Sequence, residues 1–89
     1  MRYNNSTLSP LEIEQVREAI RLYLEEYFSP VRYVVIDRID NQKKVYNFYA
    51  RCSIYFDADR EFYADGMRED DFLLGIDRTE DGGFVVSVD

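Results

Sequence analysis

The first third of the chain has apolar residues at helical spacing. Ser9 and Glu12 stand three positions apart, which is the spacing of a helix capping box. Pro10 suits the first helical turn, and Pro30 disfavours helical geometry in the residue before it. The pattern therefore predicts a helix over residues 10–28, whose buried stripe comprises Ile13, Val16, Ile20, Tyr23, Leu24 and Tyr27.

After Pro30 the period of the pattern changes to two. Residues 31–39 are rich in β-branched side chains and predict a strand, followed by a turn over residues 40–43. Residues 44–56 alternate and predict a long strand with one buried face. Its apolar side comprises Tyr46, Phe48, Ala50, Cys52, Ile54 and Phe56, and its other side comprises Val45, Asn47, Tyr49, Arg51, Ser53 and Tyr55.

The last third is acidic at first and then alternates again. Residues 57–70 predict a loop that holds one short strand at Phe62 and Tyr63. The next strand is marked by Phe72, Leu74 and Ile76, and a hairpin turn follows over residues 79–83. The last strand is marked by Phe84, Val86 and Val88.

One amphipathic helix and one sheet with a single apolar face cover each other. The fold class is therefore α+β, with one N-terminal helix packed across a four- or five-stranded antiparallel meander, which is an α+β roll. Residues 1–8 are expected to be a flexible N-terminal segment, and residues 9–89 a single domain. The order of elements resembles that of cystatin-like folds, but no residue motif of the cystatin inhibitors is present, so nothing about function follows from the resemblance.

Composition excludes several kinds of chemistry. The chain has no His and one cysteine, Cys52, so a disulfide framework and a Cys/His zinc cluster are excluded, as is imidazole catalysis. Cys52 is expected to lie in the core, and we predict neither an enzyme nor a bound cofactor. No apolar run is long enough for a membrane span. One cysteine and an N-terminus without an apolar signal region predict a cytoplasmic protein.

Charge is concentrated in the last third of the chain. The net charge is −7, and residues 57–89 hold eleven acidic and three basic residues. Such a surface disfavours direct binding to nucleic acid or to anionic membranes. It favours a basic protein partner, although solubility alone also explains charge of this size.

Alternating carboxylates at Asp57, Asp59 and Glu61 resemble the start of a calcium-binding loop. The sixth position of such a loop needs Gly and the twelfth needs Glu, but here they are Phe62 and Arg68. An EF-hand is therefore excluded, and no metal is predicted. An irregular Ca²⁺ or Mg²⁺ site is the alternative to a solvated acidic loop.

The exposed side of the long strand carries Tyr and Arg, which are enriched at protein interfaces. The same residue types also form cross-strand pairs that only stabilise a sheet. The uncharged last strand suggests two alternatives, a homodimer through a sheet edge or the addition of a strand from another protein to that edge. The predicted partner-binding residues are Tyr49, Arg51, Tyr55, Asp57, Asp59, Glu61, Asp65, Glu69, Asp70 and Asp71.

Three functions stay open at this point. The first is a small acidic interaction module, of the inhibitor or immunity type, that binds a basic protein. The second is a nucleic-acid mimic that inhibits a DNA- or RNA-binding enzyme. The third is a ligand-binding or enzymatic roll, with Tyr27, Asp37 and Tyr46 lining a pocket between helix and sheet.

Overall fold

The computed structural model describes residues 8–41 and 45–88. It confirms an α+β arrangement of one helix followed by a four-stranded antiparallel meander in the order β1-β2-β3-β4. No helix in these two stretches is long and apolar enough to cross a membrane. The elements are α1 (Pro10–Tyr27), β1 (Val31–Asp40), β2 (Phe48–Asp57), β3 (Met67–Arg78) and β4 (Phe84–Val88).

The helix begins at the predicted capping box. The Ser9 hydroxyl accepts a hydrogen bond from the Glu12 N–H at 3.2 Å, and the Glu12 carboxylate accepts one from the Ser9 N–H at 3.0 Å. The helix ends at Tyr27, one residue earlier than predicted. The assignment of Tyr27 to the core is wrong, because its side chain is 63% exposed and its ring packs on Tyr23 instead, with centroids 4.9 Å apart.

The second strand is shorter than the alternation predicts. It begins at Phe48, residues 45–47 are bends, and Lys44 lies outside the described residues, as does part of the predicted turn over residues 40–43. At Asn47, hydrogen bonds that involve side chains take the place of the backbone pairing of a regular strand. The Asn47 N–H donates to Asp77 Oδ1 at 2.8 Å, and Asn47 Oδ1 accepts from the Arg78 N–H at 3.0 Å. From Phe48 to Phe56 the apolar side chains are buried as predicted.

The acidic segment after β2 is a turn and then a strand. Residues 58–66 form turns, in which the Asp59 carbonyl accepts from the N–H groups of Phe62 and Tyr63 at 3.0 and 2.9 Å. The short strand predicted at those two aromatic residues is therefore wrong. Instead β3 begins at Met67 and includes the acidic run over residues 69–71.

The helix lies on one face of the sheet, and its backbone approaches β1 and β4 most closely. The sheet therefore curves around α1, with the helix stripe and the inner sides of all four strands forming one core. Two polar contacts fix the helix at its ends: Glu12 pairs with Arg78 at 2.7 Å, and Glu25 Oε2 accepts from the Val31 N–H at 3.2 Å.

Arg78 ties the start of the helix to the β3–β4 hairpin. Its guanidinium lies 5.4 Å from the ring centroids of both Phe48 and Phe84, in addition to the ion pair with Glu12. Hydrogen bonds from the Ser9 N–H and from Arg78 lower the pKa of Glu12.

We expect Arg78→Ala to lower the free energy of unfolding by about 1 kcal/mol, because the rings of Phe48 and Phe84 lose their contacts with the guanidinium. The measurement is urea denaturation followed by circular dichroism. Arg51→Ala is the matched control, since Arg51 is exposed and forms no ion pair with any described residue, and it should change stability by less than about 0.5 kcal/mol. Equal losses in the two variants would contradict the bridging role.

Candidate interaction surface

The side of the sheet opposite α1, called here the outer face, has no helix over it in the part of the chain that the structure describes. Antiparallel pairing aligns its side chains in rows across three strands. Tyr33 of β1 pairs with Tyr55 of β2, which pairs with Glu69 of β3. In the next row Ser53 pairs with Asp71.

Three carboxylates converge on the middle of the outer face and are called here the carboxylate cluster: Asp37, Glu69 and Asp71. The Tyr55 hydroxyl donates to Glu69 Oε2 at 2.9 Å. The Ser53 hydroxyl lies 3.0 Å from Asp37 Oδ2 and 3.2 Å from Asp71 Oδ1. Because one hydroxyl has one proton, Ser53 satisfies only one of these two carboxylates at a time.

The electrostatic potential at this cluster is negative. The pKa of Tyr55 is raised, chiefly by its hydrogen bond to Glu69 and by the charge of that carboxylate, with further contributions from Asp37 and Asp71. None of the three carboxylates forms an ion pair with a described residue. The cluster therefore presents negative charge that the described residues leave uncompensated.

Aromatic, apolar and cationic groups surround the cluster. Tyr33 is 56% exposed, and its ring meets that of Tyr55 edge-on with centroids 6.3 Å apart. Arg51 is exposed and pairs across the sheet with Arg38 and Leu73. Arg38 forms an ion pair with Asp40, whereas Arg51 forms no ion pair with a described residue.

Six of the predicted partner-binding residues share the outer face: Tyr49, Arg51, Tyr55, Asp57, Glu69 and Asp71. Asp70 does not, because alternation turns it to the other face, where it pairs with Arg68. The structure therefore separates Asp70 from Glu69 and Asp71, although all three are among the predicted partner-binding residues.

Asp57 ends β2, and the remaining predicted carboxylates, Asp59, Glu61 and Asp65, lie in the turn that follows. Asp57 pairs with Arg32 at 3.3 Å, and Glu61 is exposed. Asp59 Oδ1 accepts from the Glu61 N–H at 2.9 Å, and Asp65 Oδ1 accepts from the Met67 N–H at 3.1 Å. Asp59 and Asp65 therefore hold the turn itself. No described group of three acidic or cysteine side chains is placed to hold a metal ion.

Sequence reasoning missed Asp37 and Tyr46 as outer-face residues and expected both to line a helix–sheet pocket. Asp37 reaches Ser53 at a register shift in β1, and the Tyr46 ring packs edge-on against Tyr49 with centroids 5.6 Å apart. Since Tyr27 is exposed as well, none of the three residues lines the space under the helix.

Cys52 lies in the core, as expected. It is fully buried, and burial raises the pKa of its thiol to about 12. A thiol in this state is a small apolar side chain and not a nucleophile.

Comparisons with protein-family models, with curated proteins and with solved structures found no match. Function is therefore inferred from the surface of this chain alone. The outer face combines exposed aromatic rings, one available guanidinium and uncompensated carboxylates. This combination suits a protein interface in which the partner supplies positive charge.

Proposed function

We propose that this chain is a small protein-interaction module whose outer face binds a basic protein. The observation that carries the proposal is the carboxylate cluster of Asp37, Glu69 and Asp71, for which the described residues provide hydroxyl donors but no cation. Lys or Arg side chains of a partner would neutralise the charge of these carboxylates and donate charge-assisted hydrogen bonds to them.

The surroundings of the cluster add affinity beyond charge. The faces of Tyr33 and Tyr55 offer cation–π and apolar contact to the stem of a bound Lys or Arg. Leu73, 38% exposed, adds an apolar contact next to Arg51. Tyr and Arg are, with Trp, the residues that most often dominate binding energy at interfaces.

The loop carboxylates have a different role in this proposal. Asp59, Glu61 and Asp65 lie in the turn after β2, beside the outer face, whereas Asp57 ends β2 on that face and is paired with Arg32. Together with the net charge of −7 they attract a basic partner at long range. Their contribution falls on the association rate, while the cluster governs the lifetime of the complex.

The proposal has three finer parts: the mode of action, the cellular location and self-association. The module neutralises its partner by covering a basic functional surface, as small inhibitor and immunity-type proteins do. It acts in the reducing cytoplasm, where a lone Cys52 remains a thiol. It also pairs with a second copy of itself through a sheet edge.

The test compares two variants with the same change in charge. The cluster variant carries Asp37→Asn, Glu69→Gln and Asp71→Asn, whose amide oxygens still accept the hydrogen bonds of Ser53 and Tyr55. The control variant carries Asp59→Asn, Glu61→Gln and Asp65→Asn, all in the turn after β2. Proteins captured on each from the source organism's lysate are identified by mass spectrometry, and the captured protein is then purified for surface plasmon resonance.

We expect one basic protein to bind the wild type and the control variant but to bind the cluster variant at least about tenfold more weakly, mainly through faster dissociation. The control variant should mainly slow association. Equal binding of the two variants, or a partner without net positive charge, would refute the proposal. If duplex DNA displaces the partner, the surface that this chain covers is the partner's nucleic-acid-binding site. That result would favour the second function, a nucleic-acid mimic.

A further inference from the structure

The two edges of the sheet differ in how they are protected against pairing with another strand. β1 has register shifts between Val31 and Tyr33 and between Ile36 and Arg38. These irregularities, together with the charges of β1, disrupt an edge in the way natural proteins avoid unwanted pairing. β1 is therefore a poor template for an added strand.

The other edge, β4, lacks these devices. Phe84–Val88 pairs with β3 without a register shift and contains no charged residue. Val85 and Val88 are 52% and 44% exposed. No described strand pairs with the outer side of β4, where the sheet order ends.

The direction of the backbone groups of β4 follows from the hairpin. The Thr79 N–H donates to the Gly83 carbonyl at 3.0 Å, so these two residues face each other. In an antiparallel ladder the facing pairs alternate with pairs that point away from each other. The N–H and carbonyl groups of Phe84, Val86 and Val88 therefore point away from β3, toward the open edge.

We propose that two copies of this chain associate through β4, antiparallel about a two-fold axis at Val86, to form one continuous eight-stranded sheet. Val86 then exchanges hydrogen bonds with Val86 of the second copy, and Phe84 does so with Val88 of the second copy. The half-exposed Val85 gains a neighbour on the outer face, as Val88 does on the helix face. An uncharged edge allows this approach without placing like charges opposite each other.

Strength and salt dependence follow from the same features. A five-residue edge buries little area, so the dimer is weak and forms with rising protein concentration. Each copy carries a net charge of −7, so salt screens the repulsion between copies and strengthens the dimer. Binding to a basic partner weakens with salt, so the two associations respond in opposite directions.

The experiment uses the purified 89-residue chain alone, so its result does not depend on whether the proposed basic partner exists. Sedimentation velocity from micromolar to millimolar protein should show a monomer–dimer equilibrium that shifts to dimer with added salt. Amide hydrogen exchange by NMR should show that the Val86 N–H becomes protected as protein concentration rises.

A Val85→Lys variant puts a charge on the edge and should remain monomeric. Val45→Lys, which changes the charge equally at a residue 78% exposed before β2, should dimerise as the wild type does. Both sites are exposed, so both variants should fold. A wild type that is monomeric at millimolar concentration, a Val85→Lys variant that dimerises like Val45→Lys, or a dimer without Val86 protection would overturn the proposal.

Discussion

Above pH 9 the chain is expected to lose stability faster than a Cys52→Ala variant, by about 1.4 kcal/mol for each pH unit. In the folded chain burial holds the pKa of the Cys52 thiol at about 12, whereas its ordinary value is 9.0. Between these values the unfolded chain releases the proton and the folded chain keeps it. The contribution of the protonated Cys52 thiol to the free energy of unfolding is therefore fully present below pH 9. It is lost as pH rises toward 12, and the total loss is about 4 kcal/mol.

The measurement is urea denaturation of both proteins at intervals from pH 7 to alkaline pH, with the difference in unfolding free energy plotted against pH. Tyrosine and lysine ionisation is common to both proteins and cancels in the difference, including that of Tyr55, whose pKa is raised by Glu69. At neutral pH Cys52→Ala shows only the cost of its small cavity. A difference that does not change with pH would show that the thiol ionises as easily in the folded chain as in the unfolded one.

The elements that local chemistry determines were predictable from the sequence. The capping box at Ser9 and Glu12 needs only neighbouring residues, and it forms as expected. The alternation from Phe48 to Phe56 was also sufficient to predict a strand and its buried side, because one face of β2 lies on the core. It placed Tyr49, Arg51 and Tyr55 on one face without knowledge of any other strand.

The features that sequence reasoning missed depend on partners distant in the chain. The ladder is interrupted before Phe48 because Asn47 bonds to Asp77 and Arg78, thirty or more positions away. The acidic run over residues 69–71 belongs to a strand because a solvated outer face tolerates carboxylates at alternate positions. Polarity alone therefore indicated a loop there.

The carboxylate cluster shows the same limit. Glu69 and Asp71 come together with Tyr55 and Ser53 only through the β2–β3 register, and hairpin loops of uncertain length leave that register open in a sequence. Asp37 joins them at a register shift in β1, where a period of two no longer tells which face a side chain takes. Only the hydrogen bond between the Ser53 hydroxyl and Asp37 Oδ2 places Asp37 in the carboxylate cluster.

Replacing Gly75 by Ala should lower the free energy of unfolding by about 1–3 kcal/mol. Gly75 is buried in the middle of β3, and an added Cβ would lie 2.2 Å from Cδ2 and 2.4 Å from Cγ of Tyr46. The ring would have to leave the glycine and lose its edge-on contact with Tyr49. Tyr46 lies in the bend before β2, and its ring covers the glycine in the way that aromatic rings stabilise glycines in sheets.

A double-mutant cycle with Tyr46→Ala separates this contact from the backbone effect of glycine. Without the ring, Gly75→Ala restricts the unfolded chain and meets no clash, so it should be neutral or stabilising by up to about 1 kcal/mol. The sign of the substitution is thus expected to reverse between the two backgrounds, which urea denaturation of the four proteins measures. If Gly75→Ala costs as much without Tyr46 as with it, the strain lies in the β3 backbone, and Tyr46 is not the reason that position 75 is glycine.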